Sequence, residues 1–382
     1  MFQLDEEQRL ILQSVREIAQ KEISPRAATL DETGEFPWHA VRIFAKNDIL
    51  NSLLPQKYGG VEVSIFTFCM ILEEIAKACA SSALLLIAQA EGMLPIVYGT
   101  DELLKEKYLK RLAGDSQILT ALGAPEPTEG SENFPLKTRA VLRGEKYIIN
   151  GEKCFIKNGS IADFLVLYAY TDPSKGNRGM SVFVVEKGFP GLVYGRNEDR
   201  MGMRGSIRSE IFFKNLEVPR ENLMGKEGEG FLNMMKTLSL SRLFTAAQAV
   251  GLAQGAMEEA IAYARKRVQF SKPISHLAPI QFMVADMAAG IESARLLTYK
   301  TAFLFDREDW EKATTHAAMA KFMASDTAMK VTMDAVQVMG GYGYMKDYPV
   351  ERMMRDAKLT QIHTGTNQIM RLSVGRDITG VP

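Results

Sequence analysis

The chain has 382 residues, 46% of them hydrophobic and 24% charged, which is ordinary globular composition with material for two or three packed domains. Its 46 basic and 46 acidic residues cancel, which argues against a broad field steering it onto nucleic acid or an anionic membrane. The start, MFQLDEEQRL, lacks the basic and apolar blocks of a secretory signal, and the apolar run at 83–88 falls far short of the roughly 20 residues of a membrane span. Three cysteines, Cys69, Cys79 and Cys154, have no metal-type spacing and read as reduced thiols of a cytoplasmic protein. The four histidines stand far apart, so no metal site is expected.

Residues 1–115 read as a helical domain. Leu4, Leu10, Ile11, Val15, Ile18 and Ile23 recur at helical spacing, and Ser24-Pro25 is expected to end that helix. A second helical block runs from about Ile65 to Ala88. Pro95 is expected to break the chain, and Asp101 to cap a helix beginning at Glu102. From 116 to 226 strand signals dominate. Lys146–Ile149 and the segment after Gly151 flank Asn150-Gly151, a strong hairpin turn signal. Phe164–Tyr170, Met180–Val185 and Ile211–Phe213 read as further strands of a compact antiparallel barrel or sandwich. From 227 to 382 the pattern is helical again, with a long stretch rich in alanine and glycine, then helices near 277–307 and 309–339. The expected fold is α+β and multidomain: an N-terminal α-helical domain, a middle antiparallel β-barrel domain and a C-terminal four-helix bundle.

Four ordered segments carry a resemblance. They are Gln337-Val338-Met339-Gly340-Gly341-Tyr342-Gly343-Tyr344 with Asp347, Arg352 and Asp356; the stretch around Arg267, Gln269 and Phe270; the run from Arg200 to Phe231; and GAPEPTEGSEN with the later INGEKCFIKNGSIAD. Together they resemble the acyl-CoA dehydrogenase family. The resemblance implies FAD held extended between subunits of a homotetramer, and electrons passed on to electron-transfer flavoprotein. It implies that Arg267 meets the pyrophosphate with Phe270 nearby, as a forked guanidinium suits phosphate. Gln337 and Gly341 would be the neighbouring subunit's contact with FAD, and Thr366 and Gln368 would touch it again. Ser131 and Arg242 match positions on the CoA side or on the acyl-binding helix.

The family's reaction needs a base to take a proton and a flavin to accept a hydride. The base is a glutamate immediately before Gly-Thr, where this chain has Thr364. Some members carry it instead before the helix arginine, where this chain has Ser241. A hydroxyl is too weak a base at neutral pH. The flavin face departs too: Pro125 replaces a threonine and cannot donate a backbone hydrogen bond, Phe155 keeps an aromatic wall, and Lys157 replaces another threonine. Lys157 either sets a cation beside the flavin or points to solvent.

Glu91, a lone acid following an apolar stretch, is the leading candidate for the base, because burial without a partner or purpose would be costly. His363 is the second candidate. A base moved to the far end of the pocket would reach a γ or ring carbon. That suits a branch of the family acting on alicyclic, cyclohexene-carboxyl-type thioesters in anaerobic aromatic metabolism. The alternatives are an ordinary straight- or branched-chain acyl-CoA dehydrogenase, a catalytically silent flavin-binding paralogue, and a flavin monooxygenase of the same fold.

Overall fold

The computed structural model describes residues 4–115, 117–127 and 136–381. The N-terminal helices are α1 (Glu6–Ile18), α2 (Ala27–Thr33), α3 (Trp38–Lys46), α4 (Ile65–Ala78), α5 (Ala80–Val97) and α6 (Glu102–Gly114). Asp5 starts α1 with a reciprocal capping box to Gln8, and Asp101 caps α6 by accepting from Leu104 N at 3.0 Å, as expected of these residues. Ser24-Pro25 does not stop the chain's helical course. Hydrogen bonding widens to a π turn over Ala19–Ile23, and a 3-10 turn with Pro25 near its start leads into α2. Proline is tolerated there because an N–H at the start of a turn has no partner to lose.

Pro95 likewise does not break the chain. It lies inside α5, which runs on to Val97. The missing N–H deprives the carbonyl of Glu91, four residues back, of its helical donor. Packing on every side holds the helix regardless, and Asn233 Nδ2 donates to the Pro95 carbonyl at 2.8 Å. This helix is long and apolar enough to cross a membrane by composition, but 94% of that stretch is buried inside the fold. The apolar stretch is thus longer than the run at 83–88 suggested, and it is a core helix.

The middle strands are β1 (Thr120–Gly123), β2 (Arg139–Arg143), β3 (Lys146–Lys157), β4 (Phe164–Tyr170), β5 (Met180–Glu186), β6 (Leu192–Asn197) and β7 (Arg208–Pro219). They form one seven-stranded sheet curled around its own core of Tyr147, Ile149, Leu165, Phe183, Ile211 and Phe213. Pairing is antiparallel between β2 and β3, β3 and β7, β6 and β7, and β4 and β5, whereas β1 and Arg139 of β2 run parallel to β4. Asn150-Gly151 is not the hairpin turn. The turn is at Gly144-Glu145, and β3 passes straight through Gly151 with a register shift against β7. Gly151 is required for another reason: at φ 150, a Cβ there would lie 2.5 Å from Thr138 Oγ1.

The C-terminal part comprises α7 (Gly230–Lys266), the short β8 (Val268–Gln269) and β9 (Lys272–Pro273), α8 (Ala278–Asp306), α9 (Trp310–Met339), α10 (Val350–Thr360) and α11 (Asn367–Thr379). The 37-residue α7 is lined with alanine and glycine. Backbone approach is close at Gly251, where a Cβ would meet the Glu73 carbonyl of α4 at 2.1 Å. Gln89 clamps α5 onto the sheet, accepting from Thr120 N at 2.9 Å and donating to the Ile118 carbonyl at 2.9 Å. A Cβ on Gly92 would overlap Thr120 Oγ1 at 2.4 Å. This tight seat of α5 between β1 and α7 fixes where Glu91 can point.

Candidate active site

Glu91 is 3% exposed, deep in α5. Lys157 Nζ, at the end of β3, stands 2.6 Å from each of its carboxylate oxygens. Ser241 Oγ, from α7, donates to Oε1 of the same carboxylate. One turn further along α7, Thr245 Oγ1 donates to the Ser241 carbonyl at 2.9 Å and lies 3.2 Å from Thr364 Oγ1. The structure therefore gathers Glu91, Lys157, Ser241 and Thr364 from four separated parts of the sequence. Lys157 does not point to solvent.

Among the described residues, positive charge is in excess around this carboxylate. In the β3/β7 register Lys157 stands directly opposite Arg208, and like charges so placed repel. Arg208 Nε and Nη2 are buried and find no hydrogen-bond partner among the described residues. Burial first, and then the charge of Arg200, lowers the Arg208 pKa to about 10, while Glu91 opposes the shift. Burial also depresses the Lys157 ammonium; Glu91 opposes this and Arg208 adds to it. Arg242 Nε is a third buried donor with no partner among the described residues, and burial brings its pKa to about 10.

His363, the second candidate for the base, is buried with neither ring nitrogen hydrogen-bonded among the described residues. Burial, reinforced by Lys157, Arg208 and Lys321, holds its pKa well below the ordinary histidine value. It is neutral at pH 7 and a poor proton acceptor. Lys321 of α9 ties down the loop that carries His363 and Thr364, donating to the Gly365 carbonyl at 2.7 Å and to Asn367 Oδ1 at 2.9 Å. Thr364 itself holds φ 56 and donates to the His363 carbonyl at 2.7 Å.

The expected FAD contacts lie elsewhere. Arg267, Gln269, Gly340, Gly341, Tyr342 and Met345 line a cleft of about 490 Å³. The Arg267 guanidinium lies 5.6 Å from the centre of the Tyr342 ring, and Phe270 is 84% exposed at φ 51. Gly340 and Gly341 face open space where a Cβ would meet nothing. Arg267 and Gly341 thus share one cleft, because the turn after α9 folds back onto the end of α7. Gln337 is exposed. Thr366 caps α11, accepting from Ile369 N at 3.4 Å, and Gln368 is exposed on its first turn. Phe155 projects outward, 54% exposed at φ 55, beside a β3 bulge. The Pro125 carbonyl accepts from Cys154 N at 3.0 Å. Ser131 lies outside the described residues.

These groups suit FAD: a stacked guanidinium and open glycines for a pyrophosphate, an exposed aromatic ring on β3, and buried Arg208 nitrogens without a partner among the described residues for a ring with several acceptors. Sequence reasoning missed Arg208, Thr245 and Lys321. Lys321 had a readable signal, because it falls on the buried alanine face of α9 with Ala313, Ala317, Ala320 and Ala324. Arg208 had none, because its importance depends on the register with β3.

The chain sets a curled sheet between two helical parts, with a buried carboxylate beside it and a cleft lined by Arg267 and two glycines at the end of α7. Residues 5–115 match the acyl-CoA dehydrogenase N-terminal domain, 121–216 the middle domain and 228–379 the C-terminal domain. The chain belongs to the acyl-CoA dehydrogenase family and is an oxidoreductase acting on a CH–CH bond. More particularly, it is 62% identical over 376 residues to the cyclohex-1-ene-1-carbonyl-CoA dehydrogenase of Geobacter metallireducens, covering 98% of this chain and 99% of that one. It is 58% identical over 378 residues to the protein of the same description from Syntrophus aciditrophicus, covering 99% and 91%. The solved butyryl-CoA dehydrogenase of Megasphaera elsdenii superposes with a TM-score of 0.94 at 38% identity, covering 99% of this chain and 100% of that one.

Proposed function

We propose that this enzyme dehydrogenates a cyclic, already unsaturated acyl-CoA of the cyclohexene-carboxyl type, with Glu91 as the base. The observation that carries the reading is the buried Glu91 carboxylate held by Ser241, the residue standing where some family members keep their glutamate. Thr364, at the other family seat, lies one hydroxyl contact from Thr245 on the next turn of α7. A carboxylate displaced from both seats favours a proton further along the acyl group than the α position. In a cyclohexene thioester the γ C–H is acidified by conjugation: the proton passes to Glu91 and the C–H electron pair enters the conjugated system. The descriptions of the two bacterial relatives support the same substrate class.

FAD, when bound, supplies the two-electron acceptor. Arg267, Phe270, Gln337, Gly341, Thr366 and Gln368 would hold it, Phe155 and Lys157 would stand by its ring, and Arg242, Thr364 and Ser131 would serve the thioester. The C-cap Arg267 lies 26 residues along the chain from Ser241, about 39 Å of helix and more than an extended FAD spans. The Arg267 cleft therefore suits the cofactor of a neighbouring copy, in keeping with a homotetramer. Electron-transfer flavoprotein is the acceptor the family resemblance suggests. Three buried cysteines suit a cytoplasmic setting.

The test is anaerobic bleaching of the flavin band by single thioesters: butyryl-, octanoyl-, cyclohexanecarboxyl- and cyclohex-1-ene-carboxyl-CoA. The cyclic enoyl thioester should bleach it fastest. Faster bleaching by the straight chains would return the protein to the ordinary dehydrogenases, and no bleaching by any of them would favour a silent subunit or an oxygenase.

A further inference from the structure

We propose that Lys157 is a positioning residue for Glu91, serving as its charge partner and holding its carboxylate in one orientation until the substrate's proton arrives. This rests on the reading of Glu91 as the base. Three observations point the same way. Lys157 Nζ is equidistant from both carboxylate oxygens, so the contact fixes the plane of the group as well as its charge. Ser241 occupies Oε1, and a carboxylate has about four lone-pair sites, so capacity for an incoming proton remains. Lys157 also faces Arg208 across β3 and β7, an arrangement that costs stability unless an anion lies between or beside the two cations.

Among the described residues, the charged groups that act on the carboxylate, Lys157 and Arg208, are both cations. Lys157 comes from β3 and Arg208 from β7, and His363, from the loop after α10, feels the charge of both. A buried carboxylate alone would take up a proton from water and cease to be a base. Of the two cations, Lys157 is the one in contact with both carboxylate oxygens. When the substrate C–H breaks, the proton goes to Glu91, its electron pair stays with the substrate's conjugated system, and Lys157 keeps its own proton. Lys157 therefore acts through Glu91 and is not itself the base.

The experiment compares the pH dependence of flavin bleaching by cyclohex-1-ene-carboxyl-CoA in the FAD-loaded wild type, Lys157→Met, Lys157→Arg and Glu91→Gln. In Lys157→Met the bleaching rate should fall about tenfold more at pH 6 than at pH 9, because a buried carboxylate that loses its cation takes up a proton more readily. Lys157→Arg should recover most of the rate at pH 6. A Lys157→Met profile parallel to wild type, with Glu91→Gln inactive, would leave Glu91 as the base and overturn the role of Lys157. Full turnover in Glu91→Gln would overturn the underlying reading, and this inference with it. Infrared difference spectra extend the test to a variant that turns over poorly. Lys157→Gln should show a protonated carboxyl band at pH 6 that disappears when Glu91→Gln is added, and absence of that band would contradict the proposal.

Discussion

Two buried lysine–glutamate pairs share one strand. Lys153 and Lys157 both lie on β3, and each meets a carboxylate inside the protein. Around Lys153 the hydrogen bonding is rich. Lys153 donates to the Ala124 carbonyl at 2.8 Å and to Glu126 at 2.9 Å, and Glu126 also accepts from Lys137 N, Thr138 N and Thr138 Oγ1. These charge-assisted contacts from Lys153 and Thr138 overcome burial and lower the Glu126 pKa. Around Lys157 the balance is different: Glu91 accepts from Lys157 and Ser241, while nitrogens of Arg208, Arg242 and His363 find no partner among the described residues. The first pair locks the loop after β1 onto the sheet. The second is set among buried donors that no described residue satisfies, which suits a site that handles negative charge. The presence of a buried ion pair does not distinguish structure from function. The satisfaction of its neighbours does.

If that contrast holds, substitutions in the two pairs should separate stability from activity. The largest loss of stability belongs to the satisfied pair. Lys153→Met should cost about 3–5 kcal/mol in denaturant unfolding by stranding Glu126, without moving the pH profile of flavin reduction. A loss under about 1 kcal/mol would erase the contrast. Arg208→Met should act in the opposite sense. It removes unpartnered donors and the repulsion on Lys157, so stability should rise by about 1 kcal/mol while flavin reduction slows. Destabilisation together with unchanged activity would show that Arg208 is an ordinary structural residue.

A smaller, pH-dependent effect belongs to Asp356 on α10, which accepts from Met203 N. Burial, against the opposing pull of the Met203 contact and Arg352, raises its pKa to about 7. A carboxyl raised above its unfolded value contributes stability that is fully present below about pH 4 and lost as pH climbs to about 7. Wild-type melting temperature should therefore fall between pH 4 and 7 relative to Asp356→Asn. Parallel curves for the two proteins would contradict this.

The family and the layered order of helices, sheet and helices were legible because their signals are local: the Gln337–Tyr344 run, the stretch at Arg267 and the strand-rich middle. Glu91 was legible as a lone acid at the end of an apolar run. What could not be read depended on tertiary context. Pro95 looks like a helix end, yet α5 continues because its surroundings hold it. Asn150-Gly151 looks like a hairpin turn, yet it is a bulge where Gly151 makes room for Thr138. Arg208 gains its meaning only from standing opposite Lys157, a pairing that no periodicity encodes. Lys157 itself left two orientations open, and the buried partner decided between them.

The relocated base is tested most directly by one measurement: the anaerobic rate of flavin bleaching by cyclohex-1-ene-carboxyl-CoA in Glu91→Gln, at FAD content matched to wild type. The amide keeps the shape and a contact to Ser241 but cannot take the proton, so the rate should fall about a thousandfold, within the range for loss of a general base. A rate within about threefold of wild type would contradict the assignment.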